Sequence, residues 1–407
     1  MANILFCWEL GAGRGHLTPQ LALARHLRDA GHDVLFAVRQ LQHAETLLGR
    51  AGFRYVQAPT WIGTREEPGA AIRTYAQLLL NVGFADPDHL VGRIRAWRQL
   101  FAWHAAEILV TDHSPTALLA ARGLDLPAAA LGNGFFVPPL RAPLPALAGE
   151  LDAPALADEA RALDHANRAL AKVGAPVMDR LADLFDVTLR VVRTWPEFDH
   201  YPDRDDVLYV PFLARIPGAT PTWPEAPGAK LFAYLRPGPL LTPVLTVLAR
   251  RRLPALVTVE GVASELIERF SSPTLTLTEC TYDLGQVAAE ADLALLNANH
   301  STTLALLAGG CPVLLLPQQL EQAIFARRVA AQGVGLVVGE PRQTAVDLAL
   351  EALLQEPRYR TAARELAARH AGHDAAAAER DLATRIGELA GTRTASRVGP
   401  ARDPSLH

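Results

Sequence analysis

The sequence predicts an α/β protein made of two doubly wound parallel-sheet halves facing one another across a cleft. Three observations predict it. The chain opens on an apolar stretch, a glycine-rich turn, a helix-period segment and a second apolar stretch, the unit of a parallel sheet covered by helices. The same alternation restarts beyond residue 228, after a stretch dense in proline, glycine and aspartate that breaks regular structure. A chain of 407 residues divides into two domains at roughly 100 to 200 residues each. Half of it is hydrophobic and a fifth charged, so each half can bury its own core and wholesale disorder is excluded.

Taken in order, Asn3 to Phe6 reads as a strand, GAGRGH as the turn, Leu21 to Ala30 as a helix ended by Gly31, and Val34 to Val38 as the next strand. Ile108 to Val110 and Pro127 to Leu131 continue the sheet, with the helix-like ALLAARG between them. From Gly149 to Leu184 alanine and leucine at helical spacing suggest helices packed on this half, and Thr188 to Val192 a further short strand. The stretch from Trp195 to Gly228 reads as the linker. Beyond it strands are expected at Lys230 to Leu235, Ala255 to Val259, Thr274 to Leu277, Asp292 to Leu296 and Val313 to Leu316. Helices are expected at Leu241 to Arg251, Glu265 to Phe270 and Thr361 to Leu389, before an aperiodic tail. The division is residues 1–220, 221–390 and a disordered 391–407.

Several classes are excluded or disfavoured. A net charge of −4 lacks the footprint of a general nucleic-acid binder. Cys7, Cys280 and Cys311 stand singly, without CxxC or CxxH spacing, which argues against a zinc site or a disulfide framework. The N-terminus has no export signal, which places the chain in the cytoplasm. The longest apolar run, Leu304 to Leu316, contains two glycines and falls short of the roughly 18 to 20 residues of a membrane helix.

Two places carry candidate chemistry. Gly11, Gly13, Gly15 and His16 lie between a strand and a helix. The loop fits either a tight turn or a site where backbone and helix N-terminus approach an oxygen-rich ligand. Its GxGxGH spacing is not the GxGxxG dinucleotide fingerprint, and no acidic residue ends the second strand, so a ribose clamp for NAD is missing. Asp112 and His113 fall at the corresponding end of a later strand. An aspartate on the far nitrogen of His16 would fix its tautomer and make it a base for a hydroxyl. The second place is the block opened by Thr281 and Tyr282: a strand, a polar turn Asn297 to Ser301, and a helix whose first turn holds Thr302 and Thr303. This is either ordinary capping or a phosphate-receiving helix start. Gln318, Gln319, Glu321 and Gln322 follow the next strand, a mixture of donors and acceptors suited to sugar hydroxyls.

Together these residues resemble the nucleotide-sugar-dependent glycosyltransferases of the GT-B fold, specifically the family 1 (UDP-glycosyltransferase, macrolide-glycosyltransferase-like) group, over roughly Ile4 to Leu389. GRGHLTPQLALARHLRDAGHDVLFA looks like the group's GHxxP loop with its LAxxLxxxGHxV helix and strand. The resemblance puts the catalytic histidine on His16 and its partner on Asp112. Gly310, Cys311 and Pro312 align with the family's GxP, and Glu321 with Gln322 aligns with the Asp-Gln pair that holds the donor sugar. The chain departs from the pattern where the family has HGGxGT. Here stand Asn297, Ala298, Asn299, His300, Ser301 and Thr302, with Ala305 in place of a ribose-binding glutamate. Losing the glycines narrows the backbone conformations available, and asparagine for histidine removes a positive charge.

The resemblance implies an inverting glycosyltransferase with an acceptor-binding first half and a donor-binding second half. His16 and Asp112 are catalytic, with Gly13 and Gly15 in the phosphate or acceptor loop. Arg236, Tyr282, Asn297, His300, Ser301, Thr302, Thr303, Glu321 and Gln322 take the donor. His300 is a candidate for the diphosphate role of the residue aligned with Asn297. Trp61, Phe135 and Phe136, with Tyr75, Phe84 and Trp103 nearby in type, offer aromatic surface for a lipid or small-molecule acceptor. The partners are a nucleoside-diphosphate sugar of UDP or dTDP type and that acceptor, with no cofactor and no metal; Asp203 and Asp205 read as a solvated turn. The alternatives are a GT-B-shaped binding or regulatory protein without transfer activity, and a sugar-nucleotide epimerase.

Overall fold

A computed structural model describes residues 1–63, 72–202, 204–213, 218–340 and 342–391. The first half holds β1 (Asn3–Trp8), α1 (Arg14–Asp29), β2 (Asp33–Val38), β3 (Arg54–Gln57), α2 (Tyr75–Leu79), α3 (Pro87–Trp103), β4 (Ile108–Asp112), α4 (Pro115–Ala121), β5 (Ala128–Gly132), α5 (Ala153–Lys172), β6 (Leu189–Val192) and β7 (Leu208–Tyr209). Its seven strands pair in the order β3-β2-β1-β4-β5-β6-β7, all parallel. A sheet buried on both faces needs strands that are apolar throughout, and β1 illustrates it. Leu5 and Cys7 enter one core with Trp97 and Phe101 of α3, while Ile4, Phe6 and Trp8 enter another with Leu17 and Leu21 of α1.

The second half runs β8 (Leu231–Leu235), α6 (Leu241–Arg251), β9 (Ala255–Val259), α7 (Ser264–Phe270), β10 (Leu275–Thr278), α8 (Leu284–Glu290), β11 (Leu293–Leu296), α9 (His300–Ala308), β12 (Val313–Leu315), α10 (Leu320–Ala331), β13 (Gly335–Val337), α11 (Gln343–Gln355), α12 (Pro357–His370) and α13 (Ala375–Glu388). Its six parallel strands take the order β10-β9-β8-β11-β12-β13. Here too successive residues divide between two cores, Phe232 and Leu296 on one face, Leu231 and Leu295 on the other.

The strand order reverses between β1 and β4 in the first sheet and between β8 and β11 in the second. These are the switch points at whose carboxyl ends open α/β sheets bind ligands. The stretch expected as linker contributes a strand, β7, at the edge of the first sheet. The last helix does not stay with the half that precedes it: Leu382, Ala383 and Ile386 of α13 are buried in the core of Ile4, Phe6 and Leu21. Residues expected within 221–390 thus pack on the first sheet, and two chain crossings join the halves. No helix among the described residues is long and apolar enough to cross a membrane. Residues 392–407, the aperiodic tail, lie outside the described residues.

Candidate active site

At the first switch point Trp8 and Asp112 are register partners at the ends of β1 and β4. The chain leaves β1 through Gly11 and Gly13, both at positive φ (90° and 84°), and α1 begins at Arg14. His16 therefore sits in the first turn of α1, with its Nδ1 3.0 Å from Asp112 Oδ2. Its ring lies between Trp8 and Phe136, each 5.2 Å away between centroids. Asp112 selects the tautomer in which Nδ1 carries the proton, so the Nε2 lone pair faces the cleft without a partner among the described residues. Gly11 is required here by geometry: a β-carbon on it would lie 2.1 Å from Nε2. Gly13 approaches the other half, since a β-carbon on it would stand 3.5 Å from Arg236 Nη2, whereas a β-carbon on Gly15 would meet nothing within 4 Å.

The second switch point is built differently. Asn297 at the end of β11 is buried; its Oδ1 accepts from the Arg236 amide at 2.7 Å and its Nδ2 donates to Leu316 O at 3.1 Å. Asn297 is thus a strut tying together three strand ends, and it does not line the cleft. Thr303, expected in the donor site, is fully buried with its hydroxyl turned back onto Asn299 O at 2.9 Å. His300 lines the cleft but is also committed to packing, 4.1 Å from the Phe325 ring and 6.3 Å from His200. Burial and the neighbouring His200 push its pKa well below the usual histidine range, so it is neutral and supplies no charge to a phosphate.

What remains for an anion is the start of α9. Asn299 precedes it without capping it by a side chain, which leaves the first-turn amides available as a helix start does. Ser301 and Thr302 line the cleft beside them, as does Arg236, whose guanidinium has no hydrogen-bond or ion-pair partner among the described residues. The turn keeps a left-handed residue without glycine: Ala298 holds φ at +54°. The loss of the glycines expected to narrow the turn is met by strain at an alanine. Tyr282, buried edge-on against Phe232, lines the same wall.

Between the switch points lies a cleft of about 1450 Å³. Arg14 Nη1 and Glu260 Oε1 approach to 3.5 Å across it. Gln322 is buried and accepts from the Gln318 amide at 2.8 Å. Glu321, in the first turn of α10, accepts at Oε1 from Asn133 Nδ2 of the first half at 2.6 Å. His200 Nε2 lies 3.1 Å from the Glu321 carbonyl. Burial pushes the Glu321 carboxyl up to about 7 against the opposing pull of His16, Asn133 and Arg236. Asn133 and His200 were not singled out by sequence reasoning. The one signal for Asn133 is its position directly after a strand, at the ligand-binding edge of the sheet.

On the first-half side Phe135, Phe136, Ile72, Leu78 and Val82 line the cleft. Phe136 stacks on His113 at 4.3 Å, and burial holds His113 neutral, its pKa well below the usual range. Trp61 is not part of this surface: its indole lies over Gly83, where a β-carbon would come within 2.4 Å of it. Tyr75 and Phe84 are core, and Trp103 is exposed on the far end of α3. Of the acidic pair, Asp203 lies outside the described residues and Asp205 is exposed.

Two facing parallel sheets, each with its switch point at a shared cleft, define the GT-B class of fold. No protein-family model and no curated protein matches the chain. Solved structures do match over nearly its whole length. The calicheamicin glycosyltransferase CalG4 is 20% identical with a TM-score of 0.70, covering 98% of this chain and 99% of its own. The spinosyn rhamnosyltransferase SpnG is 17% identical with a TM-score of 0.68, covering 95% and 99%. SsfS6, a glycosyltransferase of Streptomyces sp. SF2575 solved with thymidine diphosphate, is 20% identical with a TM-score of 0.60, covering 95% and 99%. SpnG has also been solved with its spinosyn aglycone.

Proposed function

We propose that the chain transfers a sugar from a nucleoside-diphosphate sugar to a hydroxyl of a small apolar acceptor, with inversion at the anomeric carbon. The observation that carries this reading is the His16–Asp112 pair at 3.0 Å with Nε2 open to the cleft. In the reaction Nε2 takes the proton of the acceptor hydroxyl as its oxygen attacks the anomeric carbon. The bond from that carbon to the diphosphate oxygen breaks, and the bonding pair leaves with the nucleoside diphosphate. Asp112 stabilises the imidazolium that forms. The charge on the leaving group is met by Arg236, the α9 amides and the hydroxyls of Ser301 and Thr302, dipoles already in place before reaction. Phe135 and Phe136 give the acceptor an apolar wall.

A GT-B fold shared with the glycosyltransferases CalG4, SpnG and SsfS6, the last two solved with thymidine diphosphate, supports this reading and favours a thymidine donor within the UDP or dTDP type. The non-catalytic alternative rests on the altered donor turn and on Ala305 in place of the ribose-binding glutamate; the left-handed Ala298 answers the first ground, and nucleotide binding decides the second. The test is calorimetric titration with UDP, dTDP, GDP and CMP, with and without magnesium. Saturable binding of one diphosphate is expected in both conditions, unchanged in His16→Ala, while transfer from the matching sugar nucleotide falls by about 10³-fold in that variant. Binding of none of the four would sink the donor reading.

A further inference from the structure

We propose that Asn133 is a positioning residue through which the acceptor half aims the Glu321 carboxyl at the hydroxyls of the donor sugar. This rests on reading the cleft as a nucleotide-sugar site. Asn133 follows β5 and Glu321 opens α10, 188 residues apart, yet the amide donates to Oε1 at 2.6 Å. His200 of the first half adds a second tie, its Nε2 3.1 Å from the Glu321 carbonyl. Asn133 is 8% exposed and its Oδ1 is buried without a hydrogen-bond partner among the described residues, so the amide is enclosed and its Nδ2 stays on Glu321.

The chemistry of the pair follows from its donors and acceptors. A carboxylate only accepts, and a primary amide donates through nitrogen and accepts through oxygen. With Nδ2 spent on Oε1, the carboxyl is held from the first-half side, which leaves Oε2 as the acceptor that Glu321 offers to the cleft. An oriented carboxylate oxygen matches a sugar bearing a free hydroxyl within its reach and is left unsatisfied against a sugar that lacks it, the arrangement by which buried polar groups discriminate. Gln322 accepts at Oε1 from the Gln318 backbone amide, which turns its Nε2, a donor, to any ligand and leaves the carboxylate acceptor to Glu321.

The pair also makes sugar recognition depend on both halves being in register. The groups facing Glu321 are the His16 ring and Asn133 from the first half, Arg236 from the end of β8, and His200 from the turn before β7. Asn133 favours the ionised carboxyl, so its removal drives the Glu321 pKa further above the ordinary carboxylate range.

The experiment compares, for wild type and Asn133→Ala, the affinity for UDP and dTDP with that for UDP-glucose and dTDP-glucose across pH 5.5 to 9. The gain in affinity contributed by the sugar is expected to fall about tenfold in the variant. The pH below which that gain is lost should move upward by roughly one unit. Affinity for the bare diphosphate should stay the same, which also reports an intact fold. A sugar contribution and pH midpoint unchanged in Asn133→Ala overturn the assignment alone. A wild type that binds no nucleoside diphosphate overturns the donor reading, and the assignment with it.

Discussion

The two switch points occupy the same place in two sheets of like topology and are built on opposite plans. At the first, side chains face each other: His16 and Asp112 form a pair that can move a proton, and glycine backbone keeps clear of it. At the second, the side chain in the position of Asp112 is Asn297, and it is spent on backbone groups of Arg236 and Leu316. What faces the cleft there is a helix start and a cation without an ion-pair partner among the described residues. Sheet order decides where a ligand lies. On the proposed function, the residue at the end of the strand separates a place suited to proton chemistry from one suited to an anion.

The comparison predicts separable defects, the largest in the first half. On the proposed function, Gly11→Ala should reduce transfer by about 10³-fold, because its β-carbon would fall 2.1 Å from Nε2, a clash that drives the His16 ring out of place, at a residue held at φ +90°. Nucleoside diphosphate binding should be untouched. Arg236→Ala should do the reverse, weakening diphosphate binding by about tenfold and leaving the pH dependence of the chemical step in place. A Gly11→Ala protein that binds the nucleotide poorly, or an Arg236→Ala protein with normal affinity, would erase the division of labour.

A second contrast concerns pH and stability. His113 on the first-half side and His200 and His300 at the boundary with α10 have pKa values pushed down by burial, His200 to about 4. Groups with depressed folded pKa take up protons on unfolding between their folded value and roughly 6.5. The stability they allow is complete above that upper value and is lost as the pH falls toward 4. Glu321 runs the other way, since a carboxyl raised to about 7 costs stability as pH rises from roughly 4.5 toward 7. Burial pushes His32 and His104 down as well, and Glu9 and Glu159 up, so five histidines oppose three carboxyls among the described residues, and the thermal midpoint should fall on going from pH 7 to pH 5. In Glu321→Gln that fall should be steeper. A midpoint flat over this range would mean the histidines are hydrated and not buried.

Much of this plan was legible in residues 1–407 read as text. Parallel strands buried on both faces read as unbroken apolar runs, which marks β1, β2, β4, β9 and β11. The half-exposed edge strand β3 and the two-residue β7 carry no such signal. His16 and Asp112 were legible because both fall at strand ends beside a turn. Asn297 was legible as a place but not as a role, because nothing in sequence tells an asparagine facing a ligand from one facing its own backbone. The pattern of α13 shows that one face is buried, but not that the face belongs to the first sheet. Asn133 and Glu321 meet only through tertiary structure, and no spacing in the chain announces them.

The smallest effect tests whether the second switch point is a preformed cradle. Ala298 is buried and holds φ at +54°, a conformation costing a non-glycine residue about 1–2 kcal/mol. Ala298→Gly relieves that strain, but it also frees the unfolded chain, which costs about 0.4–1 kcal/mol. The two nearly cancel, so stability should change by no more than about 1 kcal/mol. If the left-handed turn is already in place with alanine, the glycine gains nothing for the ligand, and nucleoside diphosphate affinity should stay within about threefold of wild type. A tenfold tightening would mean that the alanine holds the turn away from its binding shape. The second switch point would then be a cradle that the ligand must first deform, and the contrast with the rigid His16–Asp112 pair would lie in flexibility as well as chemistry.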